Sequence, residues 1–256
     1  MNVFLLSGLL LILYMGLMFL LAQKLADNSI VDVAYGPGFV LAGWAGYLFF
    51  GNGHPRQLLL LFLISLWGIR LALHIARRKR TESGEDSRYR QWRERWGENF
   101  VWRSFLQIFM LQGGVIYLVA LPIFLVISAP GGALGWRDLI GTLIWLFGFS
   151  YEAIGDRQLL RFKENRRNRG RIMRCGLWRT TRHPNYFGEA TLWWGIFLVA
   201  LAVPLGWLAL ISPLMIGVLL LKVSGIPMLE DKYAGNPDFE EYKRKTNAFF
   251  PWFPKS

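Results

Sequence analysis

The sequence predicts an all-α integral membrane protein of seven transmembrane helices, with its N-terminus outside and its C-terminus cytoplasmic. Hydrophobic residues make up 54% of the chain, twelve of them tryptophan, and the mean hydropathy is positive, which is unlike an ordinary soluble domain. Seven stretches approach the roughly twenty helical residues that a hydrocarbon core of about 30 Å requires. When these stretches are laid alternately across a bilayer, nearly every lysine and arginine falls on one side, as expected if that side is cytoplasmic. The 256 residues fit a single membrane domain, 1–256.

The first stretch, 3–23, has Tyr14 as its most polar member and no clean A-x-A cleavage site after it, so it reads as a mature helix. The next four are 34–51, 57–78, 105–128 and 137–162, and the last two are 187–203 and 205–222. Between the last two, Ala202-Val203-Pro204-Leu205-Gly206 is a tight apolar joint, which fits either a hairpin or one kinked element. The basic side receives the loops at 24–32, 77–103 and 163–182 and the tail after Lys222. The net charge of +12 could signal nucleic-acid binding, but no such motif is present and the charges sit in short loops of an apolar chain, so nucleic acid is not an expected partner. The single Cys175 excludes an intramolecular disulfide framework and the usual multi-cysteine zinc patterns, and no metal is expected.

Within 163–182 the basic residues are Lys163, Arg166, Arg167, Arg169, Arg171, Arg174, Arg179 and Arg182, against the one acid Glu164. They suit a topology determinant or anionic-lipid contact, and equally a polyanion such as a nucleotide with several phosphates, which arginine forks hold bidentately. No Gly-x-Gly-x-x-Gly follows a strand, so a nucleotide would lie among helix ends and loops.

Ionisable groups inside apolar spans cost enough to be functional candidates. Glu152 and Asp156 lie four apart on one face of the fifth span, with Arg157 beside them; an ion pair between helices is the plainer alternative. Asp32 and Tyr35 open the second span, where Asp32 either caps the helix or serves a bound substrate. Trp67, Arg70 and His74 follow on the third span at helical spacing, as a functional face or as an interfacial Trp and a snorkelling Arg. Gln112 in the fourth span fits a helix-to-helix hydrogen bond.

The most specific string is Arg182-His183-Pro184-Asn185-Tyr186-Phe187-Gly188-Glu189, which leads from the basic loop into the sixth span. It resembles the C-terminal region of the steroid 5α-reductases, in which an Asn-aromatic-x-Gly-Glu string joins a basic loop to an apolar helix. Three more strings bring the chain closest to bacterial membrane proteins of that superfamily formerly classed as a domain of unknown function: Gly84-Glu85-Asp86-Ser87-Arg88-Tyr89, Glu152-Ala153-Ile154-Gly155-Asp156, and Tyr242-Lys243-Arg244-Lys245-Thr246-Asn247-Ala248-Phe249-Phe250-Pro251-Trp252.

The resemblance implies a membrane enzyme that reduces the C=C bond of a conjugated enone, such as a 3-oxo-4-ene steroid, with NADPH held at the cytoplasmic end and a hydrophobic substrate among the N-terminal helices. On this pattern 1–128 is mainly the substrate part and 137–256 mainly the cofactor part, in a membrane that the bacterial match makes the cell inner membrane. Asp156, Arg171, Asn185 and Glu189 fall on cofactor-binding positions, and Arg182, His183 and Tyr186 lie in the same block. Glu152 stands where an amide is usual in animal enzymes, and Lys163 and Lys222 where arginines are commoner. Asp32 is the carboxylate by position at the substrate end; Trp67 falls where its partner tyrosine would be, leaving Tyr35 as the nearby phenol. A donor aimed at the carbonyl oxygen steadies the charge that builds there on hydride addition, and burial of Asp32 among apolar groups would favour its neutral form. The His-Pro-x-Tyr element is shared with isoprenylcysteine carboxyl methyltransferases, which leaves an S-adenosylmethionine-dependent membrane methyltransferase as the alternative enzyme. A lipid-binding or transport protein whose intramembrane acids only pair helices is the non-enzymatic alternative.

Overall fold

The computed structural model describes residues 1–81 and 84–254, and all regular structure among the described residues is helical. α1 (Val3–Leu25) starts at Asn2, whose side chain accepts from the Leu5 amide at 3.0 Å, and ends where Ala26 turns left-handed (φ 52°). α2 (Ile30–Phe50) starts earlier than the 34 expected from its apolar residues. The polar run before it makes the start: Asp27 accepts from the Ser29 amide and hydroxyl, and the Val31 and Asp32 amides bond back to Asn28 and Ser29. α3 (Pro55–Thr81) opens on proline, which suits a first helical turn, and closes on Arg78, Lys79 and Arg80 against its dipole.

α2 and α3 touch backbone to backbone at Gly36 and Gly68. A Cβ on Gly36 would stand 2.2 Å from the Gly68 carbonyl oxygen, so no larger residue fits without separating the helices. Trp67, beside that contact, is fully buried against Phe39 and Tyr35. It is therefore a core residue rather than an interfacial one.

The stretch expected at 105–128 is longer and broken. It comprises α4 (Ser87–Trp96), α5 (Phe100–Ser104), a π-helical stretch over Phe105–Met110, α6 (Leu111–Val119) and α7 (Leu121–Ser128). The chain bends by 47° between α6 and α7, where Pro122 removes an amide from the helical ladder. Gln112 is half-buried on α6, and its side chain makes no hydrogen bond among the described residues, so the helix-to-helix bond expected of it is not formed.

α8 (Trp136–Glu164) is capped by Asp138, which accepts from the Gly135 amide at 2.8 Å. α9 (Pro184–Ala200) ends at a joint in which Leu205 adopts φ 59°, followed by a 3-10 turn over Gly206–Leu210 and α10 (Ile211–Val218). α9 and α10 pack on each other, so the joint makes a hairpin. A π-helical stretch over Leu219–Val223, α11 (Ile226–Asp231) and α12 (Pro237–Lys245) complete the chain.

Among the described residues four helical stretches are long and apolar enough to cross a membrane, namely Val3–Leu25, Ile30–Phe50, Pro55–Arg80 and Gly206–Asp231, and the bent α4–α7 pair brings the number to five. α8 interrupts its apolar run with Glu152 and Asp156, and α9 is 17 residues long. The chain forms two compact units: Met1–Leu134 with Val203–Ala209, and Gly135–Ala202 with the chain from Leu210 on.

Candidate functional site

In the second unit the site begins with glycines. Gly141, Gly148 and Gly155 recur every seven residues along one face of α8, and opposite them lie Gly188 and Gly195 of α9. A Cβ on Gly188 would stand 2.4 Å from the Glu152 amide nitrogen, and one on Gly195 2.5 Å from the Gly141 carbonyl oxygen. Small residues let two backbones meet in this way, and the contact lays the buried Glu152 and Asp156 beside the start of α9. Asp156 accepts from Asn185 Nδ2 at 3.2 Å. Asn185 Oδ1 is buried and accepts no hydrogen bond among the described residues. Trp178 closes over this corner, its indole donating to the Gly155 carbonyl at 3.1 Å. Glu189, one turn past Asn185, is half-buried on α9.

Arg182 and His183 turn to a different partner. Arg182 meets Glu230 of α11 at 2.8–2.9 Å and donates to the carbonyls of Lys243 and Thr246. His183 Nε2 lies 3.0 Å from the same Glu230 oxygen, and its ring stacks on Tyr186 with centroids 5.3 Å apart. Burial, helped by the Arg182 charge, holds the His183 imidazole below its ordinary pKa against the opposing pull of Glu230. The α12 phenol Tyr242 donates to the Trp178 carbonyl, and burial raises its pKa above the usual range.

Three further basic candidates lie at the surface. Lys163 ends α8, Lys222 lies on the π-helical stretch, and Arg171 follows a turn in which Gly170 takes φ 79°; all three are exposed. The side chains of Arg166, Arg167, Arg169, Arg171 and Arg179 make no ion pair among the described residues, whereas Arg174 is committed to Glu241 at 2.9 Å. Of the ten residues expected to hold a cofactor, the structure joins Asp156 to Asn185 and Arg182 to His183 and Tyr186.

In the first unit Asp32 sits in the first turn of α2 without capping it. It accepts from Tyr89 Oη at 2.6 Å and pairs with Arg88 at 2.6 Å, while Arg88 also bonds Asp86. A guanidinium and a phenol thus stand where apolar walls were expected. A second network holds α4 in place: the Asn28 amide donates to Glu85 at 2.9 Å, Glu85 pairs with Arg93, and the buried Asn28 side chain donates to Ser104. Tyr35 points its ring at Phe39 and Trp67, with centroids 5.1 and 6.2 Å away. The sequence-based reading lacked Arg88 and Tyr89 as partners of Asp32, although both end the Gly84–Tyr89 string; Glu230 carried no signal, because only the fold brings it to Arg182.

Helices apolar enough for a bilayer, with carboxylates, an amide and arginines gathered at their ends, define a membrane-type protein with polar sites. The sequence pattern of the family described as "Protein of unknown function (DUF1295)" matches residues 18–246, and the chain belongs to that family. It is 27% identical over 237 residues to "Uncharacterized protein C594.04c" of Schizosaccharomyces pombe, covering 80% of this chain and 67% of that protein. It is also 38% identical over 60 residues to "Steroid 5-alpha-reductase DET2" of Arabidopsis thaliana, a similarity confined to 23% of each chain. No solved structure matches.

Proposed function

We propose that this protein is a membrane-embedded reductase that uses NADPH to saturate the C=C bond of a hydrophobic conjugated enone, a 3-oxo-4-ene steroid being the first substrate to test. The similarity to a steroid 5α-reductase supports the class, and the Asp156–Asn185 pair with its buried, unpartnered acceptor carries the cofactor assignment. In this reading the chain crosses the bilayer seven times, with its N-terminus outside and its basic loops in the cytoplasm of a cell inner membrane. Residues 1–128 then serve mainly the substrate and 137–256 mainly the cofactor.

The residues present fit a dinucleotide phosphate. A buried amide oxygen with no partner is costly unless a ligand donates to it, and a ribose hydroxyl or an amide or amine N–H of the cofactor is such a donor. Asp156, Glu152 and Glu189 offer further acceptors. Arg166, Arg167, Arg169 and Arg171, which make no ion pair among the described residues, can take phosphates, together with the exposed Lys163 and Lys222. Arg182 and His183, occupied by Glu230, fix the entry to α9 and so position Asn185, with Tyr186 stacked on the imidazole. When bound, NADPH supplies the hydride.

At the substrate end the polar work falls to Asp32 and Tyr89. Addition at the β carbon drives charge onto the carbonyl oxygen; the one O–H of Tyr89 is given to Asp32 in the structure, so Tyr89 stabilises that charge by turning its O–H from the carboxylate to the substrate oxygen. Arg88 fixes the carboxylate from its other side. Tyr35, one turn from Asp32 on α2, adds a second phenol beside the apolar surface of Phe39 and Trp67.

The test is product analysis after incubating the protein in lipid nanodiscs with NADPH and a panel of steroid and isoprenoid enones. Saturated ketone formed with matching NADPH oxidation supports the proposal. Absence of NADPH binding at low salt, or binding of S-adenosylmethionine instead, overturns it.

A further inference from the structure

The C-terminal segment has a chemistry that the proposed reaction does not use. It runs beside Thr180–His183 and is tied to it along its backbone. The Arg182 amide donates to Asn247 O at 2.9 Å, Thr181 Oγ1 to Ala248 O and Phe249 O at 3.1 and 2.9 Å, and the Trp252 amide to Thr180 O at 2.9 Å. Phe250, Trp252 and Phe253 are 69%, 68% and 83% exposed, a large aromatic patch of the kind that marks an interaction surface.

The surroundings identify what covers it. Phe250 touches Phe187, which also touches Phe147 and Tyr151 of α8. Phe147 belongs to an outward apolar stripe of α8, with Leu139, Leu143, Leu146 and Ile154 all exposed, at the spacing of one helix face. The aromatic patch therefore continues an apolar stripe. At the patch itself stands Arg179, exposed and making no ion pair among the described residues, next to the Thr180 carbonyl that receives the Trp252 amide. Aliphatic, then aromatic, then basic is the order met on passing from hydrocarbon to headgroups.

We propose that residues 250–253 are an interfacial anchor, seated at the headgroup boundary of a bilayer containing anionic lipid. Because the same segment holds Thr180–Arg182 by its backbone, the anchor fixes the approach to α9 relative to the membrane surface. The proposal stands whether or not the protein reduces enones.

The test places a nitroxide label at position 253 or 234, using Phe253→Cys or Ala234→Cys in a Cys175→Ser background. The full chain is reconstituted in vesicles of phosphatidylcholine with or without phosphatidylglycerol. Ala234 is exposed in the turn between α11 and α12 and serves as the aqueous reference. The anchor predicts that the label at 253 collides with oxygen in preference to a water-soluble nickel chelate, that the label at 234 does the reverse, and that phosphatidylglycerol deepens the first. Equal nickel access at both positions overturns the proposal, as does shielding of position 253 from both reagents, which would mean that protein covers the patch. If the cysteine variants fail to fold, brominated lipid provides the second arm. Bromines near the headgroup should quench the emission lost in Trp252→Phe more than bromines at mid-chain do, and no difference overturns the anchor.

Discussion

Asp32 in the first unit and Glu230 in the second are both carboxylates that gather an arginine and a ring-borne donor, yet their surroundings differ. The Glu230 cluster is the drier: the Arg182 and Glu230 side chains are 9% and 14% exposed, against 27% and 21% for Arg88 and Asp32. Arg182 also satisfies two backbone carbonyls of the chain around α12, so this cluster closes upon itself. The Asp32 cluster keeps its Arg88–Asp32 side partly exposed, while its phenol, Tyr89, is buried against the carboxylate. Burial thus separates a closed cluster from the more open one that is proposed to meet the substrate.

The largest expected effect tests that separation. Glu230→Ala leaves a buried guanidinium and imidazole without their carboxylate and should lower stability by about 3–5 kcal/mol. Arg88→Ala, removing a half-exposed pair, should cost about 1 kcal/mol or less. Thermal unfolding in nanodiscs compares the two, and equal losses would break the distinction. Next in size is the effect on turnover. Tyr89→Phe and Asp32→Asn should each lower kcat by about 10²-fold or more while costing about 1 kcal/mol of stability. Tyr35→Phe should have the smaller kinetic effect. A stable Tyr89→Phe protein with full turnover would return Asp32 to a purely structural role.

The two regions also differ in how far the sequence foretold them. Asp156 and Asn185 are each legible as candidates in the sequence, one as an intramembrane acid on α8 and the other in the string that opens α9, but the hydrogen bond between them is seen only in the structure. Runs of about twenty apolar residues likewise locate the long helices Val3–Leu25, Ile30–Phe50 and Pro55–Arg80, although α2 begins at Ile30 because hydrogen bonds of Asp27–Ser29, rather than apolar residues, initiate it. The Arg182–Glu230 and Tyr89–Asp32 contacts link residues 48 and 57 positions apart. Nothing in residue type or spacing selects those partners over other acids and phenols. The glycine heptad of α8 was visible as a pattern, but its meaning depends on Gly188 and Gly195 standing opposite.

Those glycines supply a smaller test. Gly188→Ala forces a Cβ against the Glu152 backbone nitrogen and should cost about 1–3 kcal/mol. In the first unit Gly114 has open space where its Cβ would go, so Gly114→Ala should be neutral or gain up to about 1 kcal/mol from helix propensity. Smaller again is the effect of the exposed arginines. Replacing Arg169 and Arg171 with Gln should raise KM for NADPH and flatten its salt dependence, with kcat and thermal stability unchanged. An unchanged KM would remove the turn at Gly170 from the phosphate site.

Acid should reach the two regions in sequence. The fold depresses the His183 pKa below its ordinary 6.5, so the neutral imidazole is favoured in the native state and its stabilisation is complete above about pH 6.5. It is lost progressively as pH falls from there through the depressed native value, because the unfolded chain takes up the proton first. In the first unit, burial works to raise the Asp27 carboxyl, but hydrogen bonds from Lys79 and Ser29 and the Lys79 charge outweigh it and hold it below 3.8. Its stabilisation is therefore intact above about pH 3.8 and disappears only below. Melting midpoints taken from neutral to acid pH should decline first in the window that His183→Gln flattens, and later in the one that Asp27→Asn flattens. A His183→Gln protein that retains the upper decline would show that another group in the Arg182, Glu230 and Tyr186 surroundings controls it, and the closed cluster would then lose its claim to be the acid-sensitive part of the fold.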